Sequence, residues 1–247
     1  MTGLIKGFFS YVQALQYLFK GWAIKYLFLT GLLGVIILSG IVSLVFFTGD
    51  DLTQFLLGFL KFDLFSWIDT GLEWVLRGIL WVISILLFKY IILILAAPFS
   101  SLVSNKVEAH LSGDLSLTPL NEEGFMGSIS RAISVSGGNL VKEIFLTLPL
   151  LIISLIPGAA IVTTPLIFII QAYYVGYGNL DTYLENKYST KESKRFIKRN
   201  RGIALANGSV FLGLLLIPFL GVFLAPIWSI IAVTIAGESK LRQNFAV

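Results

Sequence analysis

The chain has no cysteine, a single histidine and few charges. Its 247 residues contain no Cys, only His110 as histidine, and 13% charged residues. Without cysteine, disulfides, thiolate chemistry and cysteine-based metal sites are excluded. Zinc sites take several Cys or His ligands, so His110 on its own does not indicate a metal. The sequence therefore predicts neither a metal site nor a cofactor.

Motifs for catalysis and for energy coupling are also lacking. No Ser/His/acid arrangement is present, nor a glycine-rich phosphate loop that ends in lysine. Ser154 lies in an apolar stretch with no visible base. We therefore expect no enzymatic activity. Because the apolar segments predicted below lack carboxylates, the pattern favours a channel or passive permease over a pump or a proton-coupled carrier.

Apolar residues dominate what is present. Hydrophobic residues make up 56% of the chain and the mean hydropathy is +0.87, more than the core of a soluble domain of this length can hide. Residues 27–47 contain no charge and give ~31 Å of helix, enough to cross a ~30 Å hydrocarbon core. Residues 75–97 form a second long apolar helix. These two segments are predicted to span a bilayer.

Ahead of the first span, residues 3–26 resemble an interfacial amphipathic helix. Apolar side chains recur there at helical spacing: Leu4, Phe8, Tyr11, Leu15 and Leu18. Such a helix lies in the plane of the membrane surface.

Two later apolar segments share a proline pattern. Pro157 and Pro165 recur at the same spacing as Pro218 and Pro226, which indicates an internal repeat. Proline removes a backbone donor and disfavours a straight helix. The leading arm 144–156 gives only ~20 Å of helix, too short to cross. We therefore predict two proline-broken hairpins, 144–178 and 209–236, that enter half of the membrane and return.

Charge placement predicts the orientation. The connection 179–208 is strongly basic, whereas residues 48–74 form an acidic and aromatic loop. Because basic residues concentrate on the cytoplasmic side, the polar segment 98–143 and the basic connection are both predicted to be cytoplasmic. The basic cluster at 191–201 fits anionic lipid headgroups better than nucleic acid.

A family resemblance rests on several of these features. The chain has Ala96-Ala97-Pro98-Phe99 at a predicted helix end, Glu108 ten residues beyond the proline, and two proline-broken hairpins, the second ending near Gly237. Over roughly residues 10–238 it resembles the CysZ sulfate-permease family and its etoposide-induced-protein relatives. The resemblance implies an inner-membrane helical protein, assembly as a homo-oligomer, and uptake of sulfate or a similar oxyanion for cysteine synthesis.

The resemblance also points to one anion-binding position. Sulfate-handling relatives carry a glycine followed closely by two adjacent arginines at the start of the first long helix. The corresponding stretch here begins at Gly21, and only Lys25 supplies a cation, with Ile24 at the other position. Lysine does not reproduce the bidentate fork of arginine.

Four further residues are candidates for an anion route. Lys89 lies ~4.5 Å along the axis from the middle of segment 75–97, where a charge usually faces an interior or a wet cavity. It either lines the route or is structural, by snorkelling or by pairing with an acidic neighbour. Thr163 and Thr164 offer hydroxyls, although threonine in membrane helices often bonds backbone instead. Arg131 either guards a cytoplasmic mouth or makes a phosphate contact or salt bridge.

Two polar residues after the first predicted hairpin are assigned a structural role rather than anion binding. Asn179 and Asp181 are predicted to cap a helix at the interface. Gln171 is a candidate of the same kind as the two threonines.

The predicted fold is thus an all-α integral membrane protein. It has an N-terminal interfacial helix, two long transmembrane helices and two hemipenetrating hairpins. The leading functional hypothesis is an oxyanion channel or permease in the bacterial inner membrane, surrounded by lipids and without nucleic acid. The alternative is a structural or lipid-interacting membrane protein of the same fold.

Overall fold

The computed structural model describes residues 3–60, 66–113, 122–217 and 220–245. Regular structure within these ranges is entirely α-helical. The described residues form eight helices: α1 Gly3–Leu18, α2 Gly21–Leu60, α3 Ser66–Ser112, α4 Glu122–Ser154, α5 Ala160–Leu184, α6 Thr190–Arg199, α7 Arg201–Leu215 and α8 Leu220–Phe245. The all-helical prediction is confirmed.

Five of these helices, α2, α3, α4, α5 and α8, are long and apolar enough to cross a membrane. Helix α7 has 15 residues, which give ~22 Å. Many large apolar side chains are exposed on the long helices, among them Phe28, Phe46, Phe145 and Ile161. Such a surface fits lipid rather than water. Which helices cross fully and which return stays a prediction.

The long helices extend beyond the apolar segments that predicted them. Helix α2 continues past residue 47, so residues 48–60 of the predicted acidic loop are helical; residues 61–65 lie outside the described residues. Helix α3 passes through Pro98 to Ser112, so the predicted helix end near Pro98 is wrong. One proline removes one backbone donor, and the turns on either side keep their hydrogen bonds.

The first hairpin is longer than the apolar segment 144–178 from which it was predicted. Helix α4 begins at Glu122, because the polar stretch before residue 144 is helical as well, so the predicted 13-residue arm is too short. The turn between α4 and α5 contains Pro157 and Gly158, and the φ of +83° at Gly158 favours glycine. Pro165 does not break the chain, since it lies inside α5.

The second hairpin joins α7 to α8. Pro226 lies inside α8, as Pro165 lies inside α5. The predicted break at Pro218 lies outside the described residues. The basic connection 179–208 contains the end of α5, the whole of α6 and half of α7. Helix α6 begins with a capping box, in which Ser189 and Glu192 bond each other reciprocally. These hydrogen bonds lower the pKa of Glu192.

Helix α1 differs from the predicted amphipathic helix. Tyr11 and Leu18 are buried, whereas Leu4, Phe8 and Leu15 are exposed, so the five residues do not form one face. The buried side packs on α7 and α8. There the Tyr11 hydroxyl donates to the Asn207 carbonyl at 2.9 Å. Because both sides carry apolar residues, a position against lipid remains our expectation for α1.

The core lies around α8 and the α5/α7 pair. In α8, 78% of the most apolar stretch is buried. Helices α5 and α7 approach closely where Gly176 faces Gly208. A Cβ atom on Gly176 would collide with the Ala204 carbonyl, and one on Gly208 with the Ala172 carbonyl. Small residues allow this backbone approach, as is common between membrane helices.

Candidate functional site

Helix α4 carries a line of polar side chains on its inner side. We call it the α4 polar stripe, and it consists of Ser128, Arg131, Ser136, Asn139, Glu143 and Thr147. All except the half-buried Arg131 are buried. They recur every three to five residues and so share one face. From Ser128 to Thr147 the stripe extends for ~28 Å, close to the thickness of a hydrocarbon core.

The part of the stripe nearer Thr147 contains a buried ion pair. Lys89 of α3 is 1% exposed, and its ammonium group bonds the Glu143 carboxylate, which is fully buried. The Tyr90 hydroxyl donates to the other carboxylate oxygen of Glu143 at 2.7 Å. The Thr147 hydroxyl donates to the main-chain carbonyl of Glu143. The geometry agrees with the predicted pairing of Lys89 with an acidic neighbour, and its ammonium does not snorkel.

Glu143 corrects one statement made from the sequence. It lies inside α4, within a stretch apolar enough to span a membrane, so a carboxylate is present in a candidate span. From the sequence, Glu143 is predicted to end the polar segment 98–143. The sequence pattern that indicates its burial is the spacing of Glu143 to Asn139 and Thr147, which lie one helical turn away on either side.

Lys89 also faces a cavity. The space between α2, α3, α5, α7 and α8 measures about 480 Å³, and its polar lining comes from Ser39, Lys89 and Gln171, while the remaining lining side chains are apolar. At ~30 Å³ per water, a small hydrated anion fits within this volume. Lys89 is the charged side chain in this lining, and in the structure its ammonium group bonds Glu143.

At the opposite end of the stripe, Arg131 binds several elements together. Its guanidinium donates to both carboxylate oxygens of Asp181 at 2.9 and 3.0 Å, and to the Ser193 hydroxyl at 2.7 Å. It also donates to the carbonyls of Glu185 and Tyr188, at 3.2 and 2.7 Å. These bonds use all five donors of the side chain. The arrangement is that of the predicted salt bridge, and it joins α4 to α5 and α6.

Glu185 lies beside this clamp, just beyond the end of α5. Burial raises the pKa of its carboxyl group, although the Ser101 and Ser128 hydroxyls and Arg131 oppose the shift. The Ser128 hydroxyl donates to it at 2.7 Å.

Between the two charged groups lies a neutral polar zone. The Asn179 side chain donates to Asn207 at 2.8 Å and to Ser229 at 3.2 Å. The predicted capping roles of Asn179 and Asp181 are therefore wrong, because both lie inside α5 and bond other helices. On α4, the buried amide nitrogen of Asn139 has no hydrogen-bond partner among the described residues.

The start of α2 forms a separate basic cluster. Gly21 is exposed, and a Cβ there would meet nothing within 4 Å. Lys25 is exposed as well. Lys106 of α3 lies over the rings of Trp22 and Tyr26, 5.7 and 5.4 Å from their centroids. Lys106 thus adds a cation to this helix terminus. Its contact with Trp22 joins residues 84 positions apart, which no local sequence pattern indicates.

The two threonine candidates lie near the hairpin turn. Thr163 is buried, and its hydroxyl donates to the Ala159 carbonyl at 3.2 Å, the alternative considered for it. Thr164 is exposed. The structure does not bring either residue to the cavity at Lys89 or to the cluster at Gly21. Among the described residues, no group of three or more His, Asp or Glu could hold a metal ion.

Comparison with known proteins gives two findings. A profile of the family described as "Sulfate transporter CysZ/Etoposide-induced protein 2.4" matches residues 10–226. Two proteins named "Sulfate transporter CysZ", from two strains of Pseudomonas aeruginosa, are each 25% identical to the chain over 134 residues. That match covers 54% of this chain and 54% of each relative. The chain thus spans about half the length of the curated relatives it matches.

Proposed function

Because the chain belongs to the sulfate transporter CysZ/etoposide-induced protein 2.4 family, we propose that it is a passive channel or permease for sulfate or a related oxyanion. The family and the five apolar helices make it a multi-pass bacterial membrane protein. We place it in the inner membrane, where it supplies sulfur assimilation, and we propose that it works as a homo-oligomer.

The α4 polar stripe is the observation that carries this proposal. Polar and charged side chains in a membrane protein are costly against lipid and therefore face the bundle interior or a water-filled space. Here they follow one helix for about the thickness of a membrane, and Glu143 of the stripe bonds Lys89, which lines a cavity of about 480 Å³. Polar side chains that bond neighbouring helices also hold a bundle together, so it is the cavity at Lys89 that adds the space a hydrophilic solute needs.

The cluster at the start of α2 is our proposed docking position for the anion. The positive end of the helix dipole favours an anion there, although the N–H groups of Ala23 and Ile24 already donate to the Lys20 carbonyl. Lys25 and Lys106 add charge, and Gly21 leaves space. Two lysines bind as point charges without the arginine fork, so we expect modest discrimination among oxyanions.

Lys89 is the proposed second position along the route, where its charge attracts the anion into the cavity. Thr163 and Thr164 stay proposed hydroxyl ligands near the hairpin turn. Arg131 has its donors occupied, so we assign it to holding the helices together rather than to binding the anion.

The proposal is tested by sulfate uptake into liposomes with a double variant. Lys89→Met alone would strand a buried Glu143 carboxylate, whereas Lys89→Met/Glu143→Leu removes both charges and keeps the volume apolar, a change that is often neutral for folding. We expect wild type to take up sulfate above protein-free liposomes and the double variant to fall toward that background. The matched control is Lys194→Met, an exposed lysine of α6, which should transport normally.

The competing proposal is a structural or lipid-interacting protein. The observation in its favour is α6, whose exposed face carries Lys191, Lys194, Arg195, Lys198 and Arg199 and suits anionic headgroups. Absence of wild-type flux for sulfate, sulfite and thiosulfate alike would reject the permease and favour this alternative.

A further inference from the structure

We propose that Glu143 is an internal competitor of the oxyanion for Lys89, and that its carboxylate moves between two positions to close and open the route. The proposal rests on the permease function and adds its gate. In the first position, seen in the structure, the carboxylate bonds the Lys89 ammonium and the Tyr90 hydroxyl. An oxyanion arriving at Lys89 would need the same ammonium group.

Because both are negatively charged, the Glu143 carboxylate and the oxyanion cannot occupy the place beside Lys89 together. With Glu143 in place, Lys89 is neutralised, and an added anion would lie beside a buried carboxylate in a medium of low dielectric constant. Like charges at such short range repel strongly where water is excluded. The anion can therefore bind at Lys89 only when the Glu143 carboxylate has moved away.

A place for the displaced carboxylate exists one helical turn away. Asn139 is 2% exposed, and its side-chain amide nitrogen has no hydrogen-bond partner among the described residues. Residues four apart on a helix are neighbours, so a rotamer change of Glu143 brings its carboxylate toward this donor. A buried donor without a partner carries a cost that this second position removes.

Helix α4 also has a point where it can adjust. Pro149 lies inside it, six residues after Glu143, and has no N–H for the Phe145 carbonyl. Bends in helices concentrate at such positions. Glu143 and Arg131 both precede Pro149, so a bend there moves the last turns of α4 and leaves the Arg131 clamp in place, while the Glu143 carboxylate itself moves by a change of rotamer.

The test compares Glu143→Gln and Asn139→Leu with wild type in liposome sulfate uptake. Gln keeps the size of the side chain, removes its charge and leaves one carbonyl oxygen as acceptor in place of two carboxylate oxygens. If the closed pair occupies about 90% of molecules, its loss raises the uptake rate at low sulfate about tenfold. Asn139→Leu removes the second position and should lower the rate. Opposite changes at two residues of one stripe are not expected from a merely structural pair.

The matched control is Lys142→Gln, which changes the charge of the exposed neighbour of Glu143 and should leave uptake unchanged. If Glu143→Gln does not assemble, Tyr90→Phe removes one of the two donors instead, and a smaller increase is expected. The gate alone is overturned if wild type is active and well-assembled Glu143→Gln takes up sulfate at the wild-type rate or more slowly. Tyr90→Phe is judged in the same way where it replaces Glu143→Gln. Absence of uptake in wild type and Glu143→Gln alike rejects the permease function together with the gate.

Discussion

Replacing Arg131 with methionine tests whether this residue holds the helices together or handles the anion. The Asp181 side chain is 4% exposed and that of Arg131 15%, so the substitution leaves an almost buried carboxylate without its partner. Breaking a buried pair costs about 3–5 kcal/mol. Because the guanidinium retains some exposure, we take the lower end, about 3 kcal/mol.

The expected readout is thermal stability in detergent. For a chain of this size each kcal/mol shifts the melting temperature by about 2–4 °C, so Arg131→Met should melt about 6–12 °C below wild type. Arg77→Met is the control, since its pairs with Asp50 and Glu73 are much more exposed and such pairs contribute about 0–1 kcal/mol. Asp181→Asn added to Arg131→Met should restore part of the loss, because it removes the stranded charge.

The reasoning would be refuted by a normal melting temperature together with lost uptake. That result would mean that Arg131 contacts the anion and guards the mouth, the other hypothesis drawn from the sequence. A large loss of stability that Asp181→Asn makes worse would instead show that the pair is not the main contact of Arg131.

Two predictions concern packing and pH. Gly176→Ala should prevent the close approach of α5 and α7, because the new Cβ meets the Ala204 carbonyl. The control is Gly213→Ala, since a Cβ at Gly213 has open space around it. A single symmetric peak of Gly176→Ala in size-exclusion chromatography would contradict the prediction. The raised pKa of Glu185 means that the folded state binds the proton more tightly than the unfolded state. The stability it contributes is complete below pH 4.5 and is lost as the pH rises through the folded pKa. Glu185→Gln should therefore flatten the fall of the melting temperature between pH 4.5 and neutral pH, and an unchanged fall would count against this assignment.

Local patterns in the sequence predicted the helical membrane class, and they singled out Lys89 because it is a lone charge in an apolar run. They did not reveal its partner, since Glu143 lies 54 positions away in a stretch that reads as polar and soluble. Helix bounds were too short for the same reason. Apolar runs mark where lipid contacts a helix, whereas the helix itself continues through polar residues that pack inside.

Prolines were over-interpreted in a related way. Pro165 and Pro226 were predicted to break their hairpins, yet both lie within helices. A helix loses one hydrogen bond at proline and keeps the rest when neighbouring helices hold it in place. Lys106 was missed because only tertiary packing brings the end of α3 to the start of α2.

The initial rate of sulfate uptake by liposomes containing wild type and Lys89→Met/Glu143→Leu, reconstituted in equal amounts, tests the central claim most directly. We predict uptake by wild type that competing oxyanions reduce, and uptake near the protein-free background for the double variant, with both proteins equally well assembled. Equal uptake by the two proteins would contradict an anion route along the α4 polar stripe and past Lys89.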